Sequence, residues 1–199
     1  ANDAVLQGAS VLGVGSGSIF EIGRARVEVL WPVAERYLGE TADDENSRSL
    51  ALRISDQGRT ILLPGDLGTK ELSALAKGAL AKGVLAKNTP AKGLSPDLSQ
   101  ADLKSDAWVV AHHGSAGSYC PEFYQAVDPA LSIVPVGNNA YGHPSGAVLE
   151  ELIAGGSRIL LTSNSGAVFL TFGRDTLSYH AWRDRGLFGL WRWRKRSTN

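Results

Sequence analysis

Hydrophobic and polar residues alternate along the first third of the chain, and the later apolar runs are longer and broken by glycine. Arg26-Val27-Glu28-Val29-Leu30-Trp31 alternates charged and apolar side chains until Pro32 stops it, which predicts a half-buried strand. Ser10–Val14 and Ile19–Gly23 predict shorter strands around Gly15-Ser16-Gly17-Ser18. That glycine pair has no Lys-Ser/Thr and no helix behind it, so it reads as a hairpin turn and not as a phosphate cradle. Thr41–Arg48 is polar and reads as a loop. Ser49–Ile54 and Arg59–Leu63 follow as a strand pair across Asp56-Gln57-Gly58. The second of them runs directly into Pro64-Gly65-Asp66.

From Leu72 the pattern changes. Ala76-Lys77-Gly78, Ala81-Lys82-Gly83 and Ala91-Lys92-Gly93 recur in an Ala/Lys/Gly-rich tract. Steps of five rotate the lysines around a helix instead of stacking them on one face, and the glycines weaken the helix. The expectation is a helix followed by a solvated insertion, about residues 73–100. Trp108–Ala111 is a buried strand ending in His112-His113-Gly114-Ser115. Pro121–Val127 is a helix with proline in its first turn, and Ala130–Val136 is a strand. Ser145–Ala154 is a helix with Val148, Leu149 and Ile153 on one face. Ile159–Thr162, Ala167–Phe172 and Thr176–His180 are closing strands, the first two joined by the turn Ser163–Gly166. His180 reads as structural.

Composition narrows the picture. In 199 residues, 43% hydrophobic content is ample for a sizeable core, and 20 basic against 20 acidic residues give no global attraction to nucleic acid. Any anionic partner must be met locally. The single Cys120 excludes an internal disulfide framework and a zinc ribbon. No apolar stretch reaches the roughly 20 residues needed to span a bilayer. A chain with no methionine that opens on Ala1 is expected to be a processed or excised part of something longer.

The candidate chemistry lies where strands end. Two of the four histidines are spent at His112 and His113, Asp66 follows a buried strand through a glycine turn, and His143 stands in Tyr141-Gly142-His143-Pro144. Aspartate and histidine are ligand types of hydrolytic zinc or manganese sites, in which a bound water is acidified and aimed at phosphate. On local grounds alone, Asp66 reads rather as an N-cap for the helix beginning near Thr69, a role compatible with that of a ligand. The tail, residues 181–199, interleaves tryptophan with Arg192, Arg194 and neighbouring basic residues. It suits base stacking, a membrane interface or plain solvation.

The succession Asn46-x-x-Ser49-Leu50, Leu62-Leu63-Pro64-Gly65-Asp66, His112-His113-Gly114-Ser115 and Gly137-Asn138-Asn139-x-Tyr141-Gly142-His143-Pro144 resembles the metallo-β-lactamase-fold domain of the ComEC/Rec2 DNA-internalisation proteins. The resemblance covers about residues 5 to 180 and implies an α/β, four-layer αββα sandwich over 1–180, followed by the 181–199 tail. It implies metal-dependent hydrolysis of phosphodiesters, degrading the DNA strand that is not imported during transformation. Asp66 then matches the metal-bridging carboxylate and His113 the late imidazole ligand, with His112 orienting it or contacting phosphate; the two histidines can also exchange roles. His143 matches a phosphate-contacting or proton-transferring residue, and Asn46, Ser49 and Ser115 match positions lining the substrate. The implied partners are single-stranded DNA and the membrane channel portion of the full-length protein. That places the domain outside the cytoplasm, at the inner membrane.

One departure qualifies this. Hydrolases of the fold take most of their ligands from an early His-x-His/Asp-x-Asp-His motif, and no histidine precedes His112. Part of the N-terminal sheet is therefore expected to be missing, and the chain alone is expected to hold zinc or manganese poorly and to be weakly active or inactive. Two other readings stand beside the nuclease: an inactive nucleic-acid-binding module presenting Lys77, Lys82, Lys87 and the Arg192/Arg194 tail, and a phosphodiesterase of the same fold acting on small esters.

Overall fold

In the computed structural model of the chain, residues 13–32, 45–85, 103–174, 176–183 and 191–194 are described. Among these described residues, ten strands form two sheets. The larger has seven strands in sequential order: β1 (Ile19–Ile22), β2 (Ala25–Trp31), β3 (Ala51–Asp56), β4 (Arg59–Leu63), β5 (Ala107–Val109), β6 (Leu131–Val134) and β7 (Arg158–Leu161). Its first half is an antiparallel meander, and from β4 onward every neighbour is parallel. Short turns suffice for the meander. The β3–β4 turn uses Gln57 and Gly58, both at positive φ (52° and 73°), the geometry of a tight hairpin.

The parallel half needs crossovers, which are helical: α1 (Thr69–Leu85) between β4 and β5, α2 (Pro121–Val127) between β5 and β6, and α3 (Gly146–Ala154) between β6 and β7. All three crossovers step in one direction across the sheet. The right-handed rule for such connections therefore puts all three helices on one face. The packing agrees. Leu62, Leu72, Ala76, Trp108, Val110, Phe123, Val127, Val134, Val148 and Leu152 form one buried cluster between the sheet and these helices. The opposite face is left for a second sheet of three antiparallel strands, β8 (Val168–Phe172), β9 (Thr176–Ala181) and β10 (Trp191–Arg194), in the order β10-β9-β8. Leu177 and Tyr179 of β9 pack on Ile61, Ala107, Leu131, Ile133 and Leu160 as a second cluster. The result is a layered α/β/β body.

Several expectations are corrected. The helix face of α3 is Val148 with Leu152; Ile153 is 66% exposed. The segment Ser163–Gly166 does not close a hairpin. It belongs to a single helical turn, α4 (Thr162–Ser165), which carries the chain from one sheet to the other, because β7 and β8 lie in different sheets. Within 41–48, the described Glu45–Arg48 is a 3-10 turn. Asp66 is not the helix cap: α1 starts at Thr69, where Leu72 donates its N–H to the Gly68 carbonyl. The Ala/Lys/Gly tract is helical as far as Leu85, and the insertion expected beyond it lies outside the described residues. Among the described residues the larger sheet holds seven strands and the smaller three. His180 sits on β9, exposed, with its ring 6.4 Å from that of Phe169. No described helix is long and apolar enough to cross a membrane.

Candidate metal and phosphate site

Because β4, β5 and β6 are parallel neighbours, their C-terminal ends share one edge of the sheet, where layered α/β folds gather chemistry. Asp66 follows β4, the histidine pair follows β5, and the loop bearing His143 joins β6 to α3. The sheet itself therefore brings the three sequence-distant segments together.

The β5 exit is unusual backbone. His112, His113 and Gly114 all have positive φ (46°, 57° and 78°), two of them non-glycine. A left-handed conformation costs an ordinary L-residue about 1–2 kcal/mol. The surroundings hold it in place. The His112 N–H donates to the Gly65 carbonyl (3.0 Å) and the Ser115 N–H to the His112 carbonyl (2.9 Å). Such strain, fixed by several neighbours, is typical of functional loops.

The result is a directed imidazole. His113 places Nδ1 2.7 Å from the Pro135 carbonyl oxygen, and its Nε2 lies 3.6 Å from Asp66 Oδ1. Nδ1–H donated to a carbonyl leaves Nε2 as the lone-pair nitrogen, the arrangement that orients metal-binding histidines. The Asp66 backbone N–H in turn donates to Ser49 Oγ (3.1 Å). Only a protonated His113 would pair ionically with Asp66, and between side chains 47% and 46% exposed such a pair is worth at most about 1 kcal/mol, too little to offset the strained loop. Two donors of a tetrahedral zinc, each about 2.1 Å from the ion, lie roughly 3.4 Å apart, so this pair fits a divalent cation. It is also where the fit stops. Among the described residues no group of three or more His, Cys, Asp or Glu is placed to hold a metal, whereas a catalytic zinc takes three protein ligands.

His112 lies between His113 and His143. Its ring is 6.3 Å from that of His113 and 5.9 Å from that of His143, which is 5.9 Å from the Tyr141 ring at an interplanar angle of 24°. The site thus divides into an Asp66/His113 side and a His112/His143 side.

The remaining candidates separate. Ser49 braces Asp66 through its backbone. Asn46 lies in the 3-10 turn beside it, accepting the Ser49 N–H at its carbonyl (3.0 Å). Ser115 is nearly buried, and its hydroxyl accepts the Gly117 N–H (3.1 Å), so it shapes the loop from within. Lys77 is exposed on α1, away from the strand ends and close enough to act on Glu122 and Cys120; burial pushes the Cys120 thiol up to about 11, with Glu122 adding to the rise and the Phe123 backbone hydrogen bond and Lys77 opposing it only in part. The side chains of Lys82, Arg192 and Arg194, and the whole of Lys87, lie outside the described residues; the backbone of Arg192 and Arg194 pairs with β9.

Asn139 was absent from the candidate residues, yet its side chain builds the His143 loop. Nδ2 donates to the carbonyls of Gly137 (3.1 Å) and His143 (2.9 Å), and Oδ1 accepts the N–H of both Tyr141 and His143 (3.1 Å each). An Asn two and four residues before the groups it ties is the sequence signal for such a side-chain-built turn. Asn139→Ala is expected to lower stability by only about 1–2 kcal/mol while changing the His143 imidazole resonances and leaving those of His180 alone. An unaltered His143 spectrum would show that the loop does not depend on the amide.

No family model matches the chain. Among curated proteins it is 33% identical over 133 residues to "Competence protein ComA" of Neisseria gonorrhoeae, covering 66% of this chain and 16% of that protein. It is 29% identical over 166 residues to "ComE operon protein 3" of Bacillus subtilis (strain 168), covering 81% of this chain and 18% of that one. The chain belongs to the ComEC/Rec2 competence family. Its fold is a layered α/β type, of which the described residues build three layers. Among solved structures it is similar to "CmlA beta-hydroxylase E377D mutant", at 13% identity and a TM-score of 0.44, over 77% of this chain and 32% of that one. The chain spans less than a fifth of either ComEC/Rec2 relative, as the 16% and 18% coverages show.

Proposed function

We propose that the chain supplies one flank of a metal-dependent phosphodiester-hydrolysing centre in a DNA-uptake protein, acting on the strand that is not imported. The observation that supports this most is the oriented His113, its Nε2 turned to Asp66 and its Nδ1 tied to Pro135. Asp66 and His113 would hold the metal ion, and that ion, when bound, supplies a water acidic enough to ionise near neutral pH. His112 and His143, one ring away, would contact the phosphate and carry a proton to or from its oxygens, with His143 fixed by Asn139. Zinc and manganese both accept this donor pair. Single-stranded DNA and the membrane channel portion of the full-length protein are the proposed partners, which sets the domain outside the cytoplasm at the inner membrane. In this reading the basic residues Lys77, Lys82, Arg192 and Arg194 serve the strand outside the centre.

Two donors make a weak site. Titrating the 199-residue chain with zinc or manganese, followed through the imidazole nitrogen resonances, should shift His113 before His180 at micromolar or weaker affinity. Asp66→Ala should remove the shift, and cleavage of single-stranded DNA should be slow or undetectable. Tight stoichiometric metal with fast cleavage would overturn the half-site, and a metal response that spares His113 would overturn the assignment of the ligands. Salt-sensitive DNA binding that survives both Asp66→Ala and His113→Ala without any cleavage would favour a binding module instead.

A further inference from the structure

We propose that Tyr141 is the platform on which an unpaired nucleobase stacks while its phosphodiester lies at the histidines, an inference that rests on the phosphodiester reading above and adds what the site selects for. Tyr141 is the most exposed of the large apolar or aromatic side chains among the described residues, at 83%. Single exposed aromatics are common and ask for no explanation, but this one is held. Its N–H is donated to Asn139 Oδ1, in the same four-bond clamp that fixes His143. Its ring lies nearly parallel to that of His143. From there the rings of His143, His112 and His113 follow at about 6 Å steps to the Asp66 carboxylate. A flat ring is thus held open to solvent at one end of a continuous row, with the candidate metal side at the other.

A ring on a fixed backbone that already lies against His143 loses less entropy than a free one when a base covers it, and its face is sequence-tolerant, because every base has a π-face. In a duplex those faces are covered by neighbouring base pairs, so such a platform takes single strands. The side chain touches the base, not the reacting atoms: it selects and places the strand, and the histidines act on the phosphate.

The test is fluorescence anisotropy at low salt with the full chain and two dye-labelled strands of equal length and charge, an oligo-dT and an abasic oligonucleotide. The wild-type protein is expected to bind oligo-dT more tightly. Tyr141→Ala should weaken oligo-dT binding by roughly 5- to 150-fold, down to the abasic level, and leave abasic binding unchanged. Tyr141→Phe and Tyr141→Trp should keep the preference, which excludes a loss caused by misfolding. Equal binding of the two strands by the wild type, or equal weakening of both by Tyr141→Ala, would overturn the stacking role while leaving the phosphodiester reading in place. No salt-sensitive binding of either strand would overturn both.

Discussion

Gly114→Ala is expected to destabilise the chain by about 2–4 kcal/mol and to lower its melting temperature by roughly 5–15 °C. Two costs add. Gly114 has a φ of +78°, where a Cβ alone costs about 1–2 kcal/mol. The added Cβ would also lie 2.6 Å from Cβ and 3.2 Å from Cα of Pro144. A proline ring has no rotamer by which to withdraw, and the next residue is tied to the same point, since the Ser145 N–H donates to the Gly114 carbonyl (2.8 Å). The two loops must therefore move apart, and they carry His112 and His143. Gly58→Ala is the control: its φ is +73°, but nothing lies within 4 Å of the added carbon, so it should lose only the backbone term. Thermal unfolding of the two variants by circular dichroism separates strain from contact. Equal losses would mean that Gly114 is needed for its backbone angle alone and that Pro144 gives way.

Much of the frame could be read from the sequence because it rests on local chemistry. Arg26–Trp31 shows its strand by alternation, Pro121–Val127 shows its helix by proline in the first turn, and Asp56-Gln57-Gly58 shows its turn by residues that tolerate positive φ. Three things were not local. That β7 and β8 belong to different sheets depends on which core each strand faces, and both read alike as short apolar runs. Leu152, not Ile153, is the buried partner of Val148, because the angle at which α3 meets the sheet decides between neighbours four and five residues apart. Asp66 reads locally more like a cap than a ligand, and only the start of the helix three residues later sets the cap aside.

The site was legible in part and for the same reason. Residues at strand ends with His-His or Pro-Gly-Asp punctuation stand out, and the structure places Asp66, His113, His112 and His143 along one edge. The groups that aim them do not stand out. The Pro135 carbonyl, the Gly65 carbonyl and the Ser49 hydroxyl act on Nδ1 of His113 and on the backbone N–H groups of His112 and Asp66 respectively, and carbonyls have no sequence signature at all. Asn139 has one, and only its offset from His143 reveals it.

Trp108→Ala is expected to remove about 3–5 kcal/mol, a large share of the roughly 5–15 kcal/mol that holds an ordinary domain together. The indole is fully buried in the core between the large sheet and the helices, 6.0 Å from the Phe123 ring and 5.1 Å from that of Tyr124, the latter edge-on. Its Nε1–H donates to Ser132 Oγ (2.7 Å) on β6, and that hydroxyl is in turn hydrogen-bonded to Ser157 Oγ (2.7 Å) in the turn before β7. Alanine loses the ring contacts, opens a cavity and removes the indole N–H from Ser132 Oγ. Trp108→Phe keeps most of the ring contacts and loses the hydrogen bond, for about 1–3 kcal/mol, so the order of stabilities should be wild type, phenylalanine, alanine. The consequence for the site is sharper than the energies. Trp108 stands in the middle of a three-residue strand bonded to a neighbour on each side, and that strand hands the chain to His112 and His113. A loop whose left-handed turns are imposed by its surroundings keeps its shape only while the strand below it is in place. In urea, the loss of far-ultraviolet circular dichroism and the collapse of the His113 imidazole shift to its unfolded value should therefore share one midpoint in every Trp108 variant. A His113 transition well ahead of the sheet would mean that the Gly65 and Pro135 carbonyls, and not β5, hold the histidines.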